Sequence, residues 1–235
     1  ATSIGGVGIP LLTENYVKGD FRAAGKLVQD NLTMLVAFLL PATIGAVAIA
    51  EPLYTVFYGK PDSLALGLFI LAMLQTVILG LYTVLSPMIQ ALFQNRKAIL
   101  YFGYGVLVKL ILQVPFIYVF KAYGPLLSTT IGLMIPIVLM YKEIHQVTHF
   151  NRKTVFKRSL LTAILTLIML LVVLVAGFIL GLVIKPNGRV TSMVYVALIG
   201  GVGIVVYGGL GLRLRFLDRF IGSKAASLRN KFHIS

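Results

Sequence analysis

The feature that most constrains this chain is a series of apolar blocks, each about one membrane crossing long, separated by short charged segments. Residues 31–50 are uncharged and close at Glu51; residues 63–95 carry no charge; residues 98–120 carry a single lysine; residues 122–141, 159–184 and 190–212 complete the series. About 20 helical residues cross a hydrocarbon layer of ~30 Å, because each adds ~1.5 Å along the axis. Six crossings are therefore expected. The longest block, ~50 Å as a helix, has to tilt, kink or project beyond the bilayer, and Pro87 is the natural kink. Pro41, Pro115, Pro125 and Pro136 fall in other blocks. Backbone carbonyls freed by such prolines are tolerated where neighbouring helices or a polar cavity satisfy them.

Composition agrees: 58% of residues are hydrophobic and 12% charged, well outside the usage of soluble domains. Without cysteine, disulfides, thiolate metal sites and cysteine nucleophiles are excluded. The opening residues ATSIGGVGIPLL are apolar up to Glu14 and lack a basic leader. They read as the end of a truncated helix rather than a signal peptide. This organises the chain as a helix stub (1–12), an amphipathic cytoplasmic connector (13–30), a four-helix part (31–146), two further helices (156–212) and a basic tail (213–235). Within the connector, residues 20–30 read as a short helix with Phe21, Ala24 and Val28 on one face and Asp20 as its cap.

The net charge of +14 is distributed by side. Sixteen lysines and arginines fall in segments on one side of the spans: Lys18, Arg22 and Lys26; Arg96 and Lys97; five from Lys142 to Arg158; and six from Arg213 to Lys231. Only Lys60, Lys121, Lys185 and Arg189 fall on the other. Basic residues are retained in the cytoplasm, so the first side, with the C-terminus, is read as cytoplasmic. No groove-reading module accompanies the cations, which excludes a nucleic-acid partner. The tail interleaves Arg213, Arg215, Arg219 and Lys224 with Phe216, Leu217, Phe220 and Ile221, a pattern that lies on anionic membrane lipid.

Small residues recur at four-residue spacing in Ala42, Ala46 and Ala50, in Gly124, Ser128 and Gly132, and in Gly177 and Gly181, permitting close helix approach. Enzymatic chemistry leaves little trace. The seven acids read as loop, tail or span-end residues, and His145, His149 and His233 as loop and tail residues; His145 and His149 lack a third ligand for a metal. No catalytic, cofactor or metal residue is assigned. The exception to apolar spans is Lys109, in the middle of residues 98–120. Tyr101, Gly105, Lys109 and Gln113 recur every four residues, a slowly winding polar stripe suited to a cavity-facing surface; a packing lysine that reaches carbonyls freed near Pro115 is the alternative.

The runs LLPATIGAVAIAEPLYTVFYGKPDS, SPMIQALFQNRKAILYF and VKLILQVPFIYVFKAYGPLLSTTIGLMIP resemble the C-terminal half of the multidrug/oligosaccharidyl-lipid/polysaccharide (MOP) exporter superfamily. Within it, they are most similar to the polysaccharide-biosynthesis branch that includes lipid II flippases of the MurJ type. The resemblance implies an all-α polytopic membrane protein, this chain being the C-terminal part of a fourteen-helix transporter: the end of helix 8 and helices 9 to 14. It implies a flippase of the cell membrane, not an enzyme and without cofactor, that moves a lipid-linked anionic sugar precursor by alternating access, together with an N-terminal half. Lys109, Gln113 and Tyr101 become candidate substrate-binding residues, with the ammonium opposite a pyrophosphate. A multidrug or ion-coupled exporter of the same fold would call for an intramembrane carboxylate, and a membrane glycosyltransferase for an acid or base in a span or outer loop. Single substitutions Asp62→Cys and Asn187→Cys should react with an impermeant thiol reagent from outside the cell, and Asn95→Cys and Asn151→Cys should not; external labelling at position 95 would reverse the orientation.

Overall fold

The computed structural model describes residues 2–183 and 188–213; the basic tail from 214 onward, His233 and the loop at Asn187 lie outside them. The described chain is helical: α1 (Thr2–Val17), α2 (Phe21–Ala48), α3 (Ala50–Tyr58), α4 (Ser63–Ala91), α5 (Asn95–Phe120), a 3-10 turn (Lys121–Tyr123), α6 (Gly124–Thr148), α7 (Arg152–Val183) and α8 (Arg189–Arg213). No β-strand occurs among these residues. Five helical stretches are long and apolar enough to cross a membrane, and one of them, Asn95–Thr148, is 54 residues long. That stretch is two helices: the chain turns at Lys121 (φ 50°) and returns as α6.

Local sequence chemistry sets the helix ends. Asp20 accepts from the Ala23 amide (2.9 Å), Asp62 from the Ala65 amide (2.6 Å) and Asn151 from the Thr154 amide (3.2 Å), each satisfying a first-turn donor. Asp20 thus caps a helix as expected, but α2 does not stop at Asp30; it continues unbroken to Ala48. Hydroxyls within the helices turn onto their own carbonyls, Thr33 on Gln29, Ser128 on Pro125 and Thr148 on Ile144, so these polar groups need no water.

The chain divides into two compact units. The first comprises Ala1–Leu39 and Leu71–Ser159. Its core is built where the second half of α4, the starts of α2, α5 and α7 and the end of α6 meet. Ala24, Val28, Leu32 and Leu35 supply one face of α2, Leu85, Met88, Ile89 and Leu92 that of α4, and Met140 and Ile144 that of α6. Phe150, in the turn between α6 and α7, is buried against Tyr141 and His145, with ring centroids 5.2 and 5.0 Å apart. Gly25 fits beneath this turn: a Cβ there would stand 2.8 Å from the Thr148 carbonyl oxygen. Phe21, expected on the same face as Ala24 and Val28, is exposed.

The second unit comprises Leu40–Ile70 and Leu160–Ser235. Leu165, Met169 and Val173 make a buried ridge on α7, and Gly203 of α8 approaches Val173. Tyr195 of α8 donates to the Gly177 carbonyl at 2.8 Å. Tyr54 and Tyr58 of α3 pack on Phe69 of α4. The small-residue spacings differ in use: Gly177 meets Tyr195, whereas Gly181 faces open space and Ala42 is exposed.

Phe150→Ala should destabilise the first unit by about 3–5 kcal/mol, the usual cost of truncating a buried aromatic. Thermal unfolding of purified protein followed by size-exclusion chromatography measures this, and a midpoint unchanged from the parent would show that the turn does not anchor the core.

Candidate functional site

The α5–α6 hairpin carries every candidate site residue read from the sequence, and glycine determines how close its helices lie. A Cβ added to Gly105 would stand 2.5 Å from the Gly132 oxygen, and one added to Gly132 would stand 2.8 Å from the Gly105 oxygen and from Lys109 Cβ. At Gly124 the same addition would meet the Phe116 backbone at 2.5 Å. Backbone meets backbone at these points, a geometry closed to any larger residue. Gly124, Ser128, Gly132, Pro136 and Met140 form the buried face of α6, so here the four-residue spacing of small residues is a helix-packing seam. Pro136 also lacks the amide that would bond to the Gly132 carbonyl, and that oxygen points at Gly105.

The stripe Tyr101, Gly105, Lys109 and Gln113 runs along this seam. Gly105 is buried in it, and Tyr101, Lys109 and Gln113 are half-buried at its side. A recess of about 120 Å³ opens beside the glycine contact, with Lys109 and Thr129 as polar lining and Phe102, Val106, Leu133 and Pro136 as apolar wall. Thr129 spends its hydroxyl proton on the Pro125 carbonyl, 2.7 Å away, leaving oxygen lone pairs as its remaining capacity. Among the described residues, Lys109 has neither a hydrogen-bond nor an ion-pair partner. The recess therefore has a largely apolar wall with one cationic residue, Lys109, on its lining and without a general acid–base pair among its lining residues.

Tyr101 is otherwise engaged. Its hydroxyl donates to Glu143 Oε2 at 3.0 Å, while Lys97 Nζ stands 2.6 Å from Glu143 Oε1. Glu143 is only 8% exposed, so both carboxylate oxygens are satisfied at the point where water is scarce. Glu143, read as a span-end acid, lies near the end of α6, which continues to Thr148, and its carboxylate is enclosed against Lys97 at the start of α5 rather than solvated. The signal was available, because Lys97 and Glu143 lie equally far along the sequence on either side of Phe120, where α5 ends. His145 and His149, read as loop residues, also move. His145 is in the last turn of α6 with its ring on Phe150, while His149 ends the helix in a left-handed conformation.

No protein-family model matches the chain. Lipid II flippase MurJ of Bacillus subtilis (strain 168) is 29% identical over 229 residues, an alignment covering 95% of this chain and 42% of the relative. A solved structure of lipid II flippase MurJ in an inward closed conformation matches with a TM-score of 0.63 at 20% identity, covering 92% of this chain and 42% of that one. These likenesses bear out the resemblance drawn from the sequence, and the fold is that of a polytopic helical bundle of this type. The chain spans less than half the length of both proteins.

Because Glu143 is nearly enclosed, Lys97→Met and Glu143→Met should each destabilise the hairpin, while the double substitution should lose less than the sum of the two. Lys97 is half exposed, so solvent screening keeps that coupling small. Additive losses in chemical or thermal unfolding would show that the pair is incidental.

Proposed function

We propose that the chain is the C-terminal part of a flippase that carries a lipid-linked cell-wall precursor across the cytoplasmic membrane by alternating access, with the C-terminus in the cytoplasm. The observation that carries this reading is the ammonium of Lys109. It belongs to a residue within an apolar helical stretch, where a lysine costs about 2.5–3.5 kcal/mol on insertion scales, and that residue lines a recess whose lining includes no counter-charge. An anion completes such a site. A pyrophosphate attached to a polyprenyl chain would meet the point charge of Lys109 and leave its tail to lipid. The likeness to a lipid II flippase over 95% of the chain supports that class of substrate.

In this reading Lys109 binds substrate, Gln113 adds hydrogen bonds one turn further along α5, and Tyr101, held by Glu143, positions the helix. An ion-coupled exporter would need a carboxylate free to bind a cation. Glu143 is enclosed but already paired with Lys97, which favours a structural role. The asymmetry of sixteen basic residues on one side against four on the other supports a cytoplasmic C-terminus.

In a strain depleted of its lipid II flippase, full-length protein carrying this chain should restore growth, Lys109→Gln should lose most of that activity at matched membrane levels, and Lys109→Arg should keep part of it. Residues 1–235 alone should not complement, since alternating access moves two lobes about a shared cavity. Full complementation by Lys109→Gln would refute the substrate role, and its loss from the membrane would assign the lysine to packing.

A further inference from the structure

A second cationic feature lies away from the α5–α6 recess, at the start of α7. Arg152, Lys153, Phe156 and Lys157 line a shallow surface recess of about 270 Å³. Residues 153, 156 and 157 share a helical face by their spacing of three and four, and Phe156 stands in their midst 68% exposed. The neighbouring guanidinium groups are held in place: that of Arg158 is 2.8 Å from Asp30, and that of Arg152 sits 5.6 Å over the Tyr141 ring. Lys153 and Lys157, among the described residues, have no anionic partner, and no acid stands in the first turn of α7. Positive-inside topology explains basic residues at a span end, but it does not ask for an exposed phenylalanine between them.

We propose that this site binds an anionic phospholipid, with the phosphate at the lysine ammonium groups beside the recess and the first methylenes of the acyl chain against its largely apolar wall. A span end lies at headgroup level in either orientation, so two unpaired ammonium groups there face lipid phosphates, and an aromatic ring beside them belongs at the boundary between headgroups and acyl chains. Lys153 and Lys157 bind the phosphate, Arg152 is fixed over Tyr141 as a third charge at the rim, and Phe156 packs on the first methylenes of the acyl chain. The site is independent of the Lys109 recess and of the direction of transport. Each lysine near a lipid surface contributes about fivefold, which is about 1 kcal/mol, so a preference of at least about fivefold for an anionic over a zwitterionic lipid is expected.

Residues 1–235 contain no tryptophan, so in full-length protein with any tryptophan outside these residues replaced by phenylalanine, Phe156→Trp introduces a single tryptophan beside the recess. In vesicles containing brominated phosphatidylglycerol or brominated phosphatidylcholine at equal mole fraction, the anionic lipid should quench at least about fivefold more effectively at low salt. That preference should shrink at high salt through screening. It should disappear in Lys153→Gln/Lys157→Gln, persist in Lys153→Arg/Lys157→Arg, and be unaffected by Lys142→Gln. Helical circular dichroism and monodispersity show that each variant is folded. Equal quenching by the two lipids, or a preference that survives in a folded glutamine variant, overturns the proposal. Equal loss in Lys142→Gln would mean diffuse surface charge rather than a site. Displacement by undecaprenyl pyrophosphate but not by phosphatidylglycerol would give the recess to a lipid-linked pyrophosphate instead.

Discussion

The contact between Gly105 and Gly132 is the constraint on which the arrangement of the α5–α6 hairpin depends. With no side chain on either residue, the two backbones approach until each carbonyl oxygen occupies the space of the other's missing Cβ. In a membrane the hydrophobic effect does not press helices together, so such van der Waals contact supplies the adhesion. The same contact fixes the axial register of α5 against α6. That register sets Lys109 beside the recess, Tyr101 and Lys97 against Glu143, and Gly124 against Phe116.

Polar groups in this hairpin divide into satisfied and unsatisfied sets, and the division separates architecture from the candidate site. Glu143 has a cation on one oxygen and a phenol on the other. Ser128, Thr129 and Thr130 return their protons to carbonyls three or four residues earlier. These groups hold structure. Lys109 is different, since its charge is retained within an apolar stretch with no partner among the described residues. A half-buried charge in an apolar stretch that no described residue compensates is the kind of group that a ligand completes.

The core of the first unit explains why its apolar surface is so unevenly used. Leu85, Met88, Ile89, Met140, Ile144 and Phe150 are enclosed, whereas the middle of α5 exposes Leu107, Leu110, Ile111 and Val114, and Tyr118 near its end is 87% exposed. In water such a surface would drive aggregation. Against lipid or other helices it is ordinary, in agreement with the run of apolar blocks in the sequence.

The helical membrane class, the number of long helices and most of their ends follow from the order of residues alone, because blocks of about 20 uncharged residues admit one solution in a hydrocarbon layer. That order also placed Lys109 as the exceptional residue and the Gly124–Ser128–Gly132 spacing as a packing surface, since both depend on period and composition alone. Only the tertiary structure decided which small residues are used for close approach, leaving Gly181 open while Gly132 is pressed against Gly105. It alone joined Glu143 to Lys97 and Asp30 to Arg158, carried α2 through the expected break at Asp30, and set Phe150 against Gly25. Those outcomes depend on crossing geometry and register between helices far apart in the chain, and a one-dimensional pattern of apolar and charged residues encodes the faces of each helix but not which faces meet.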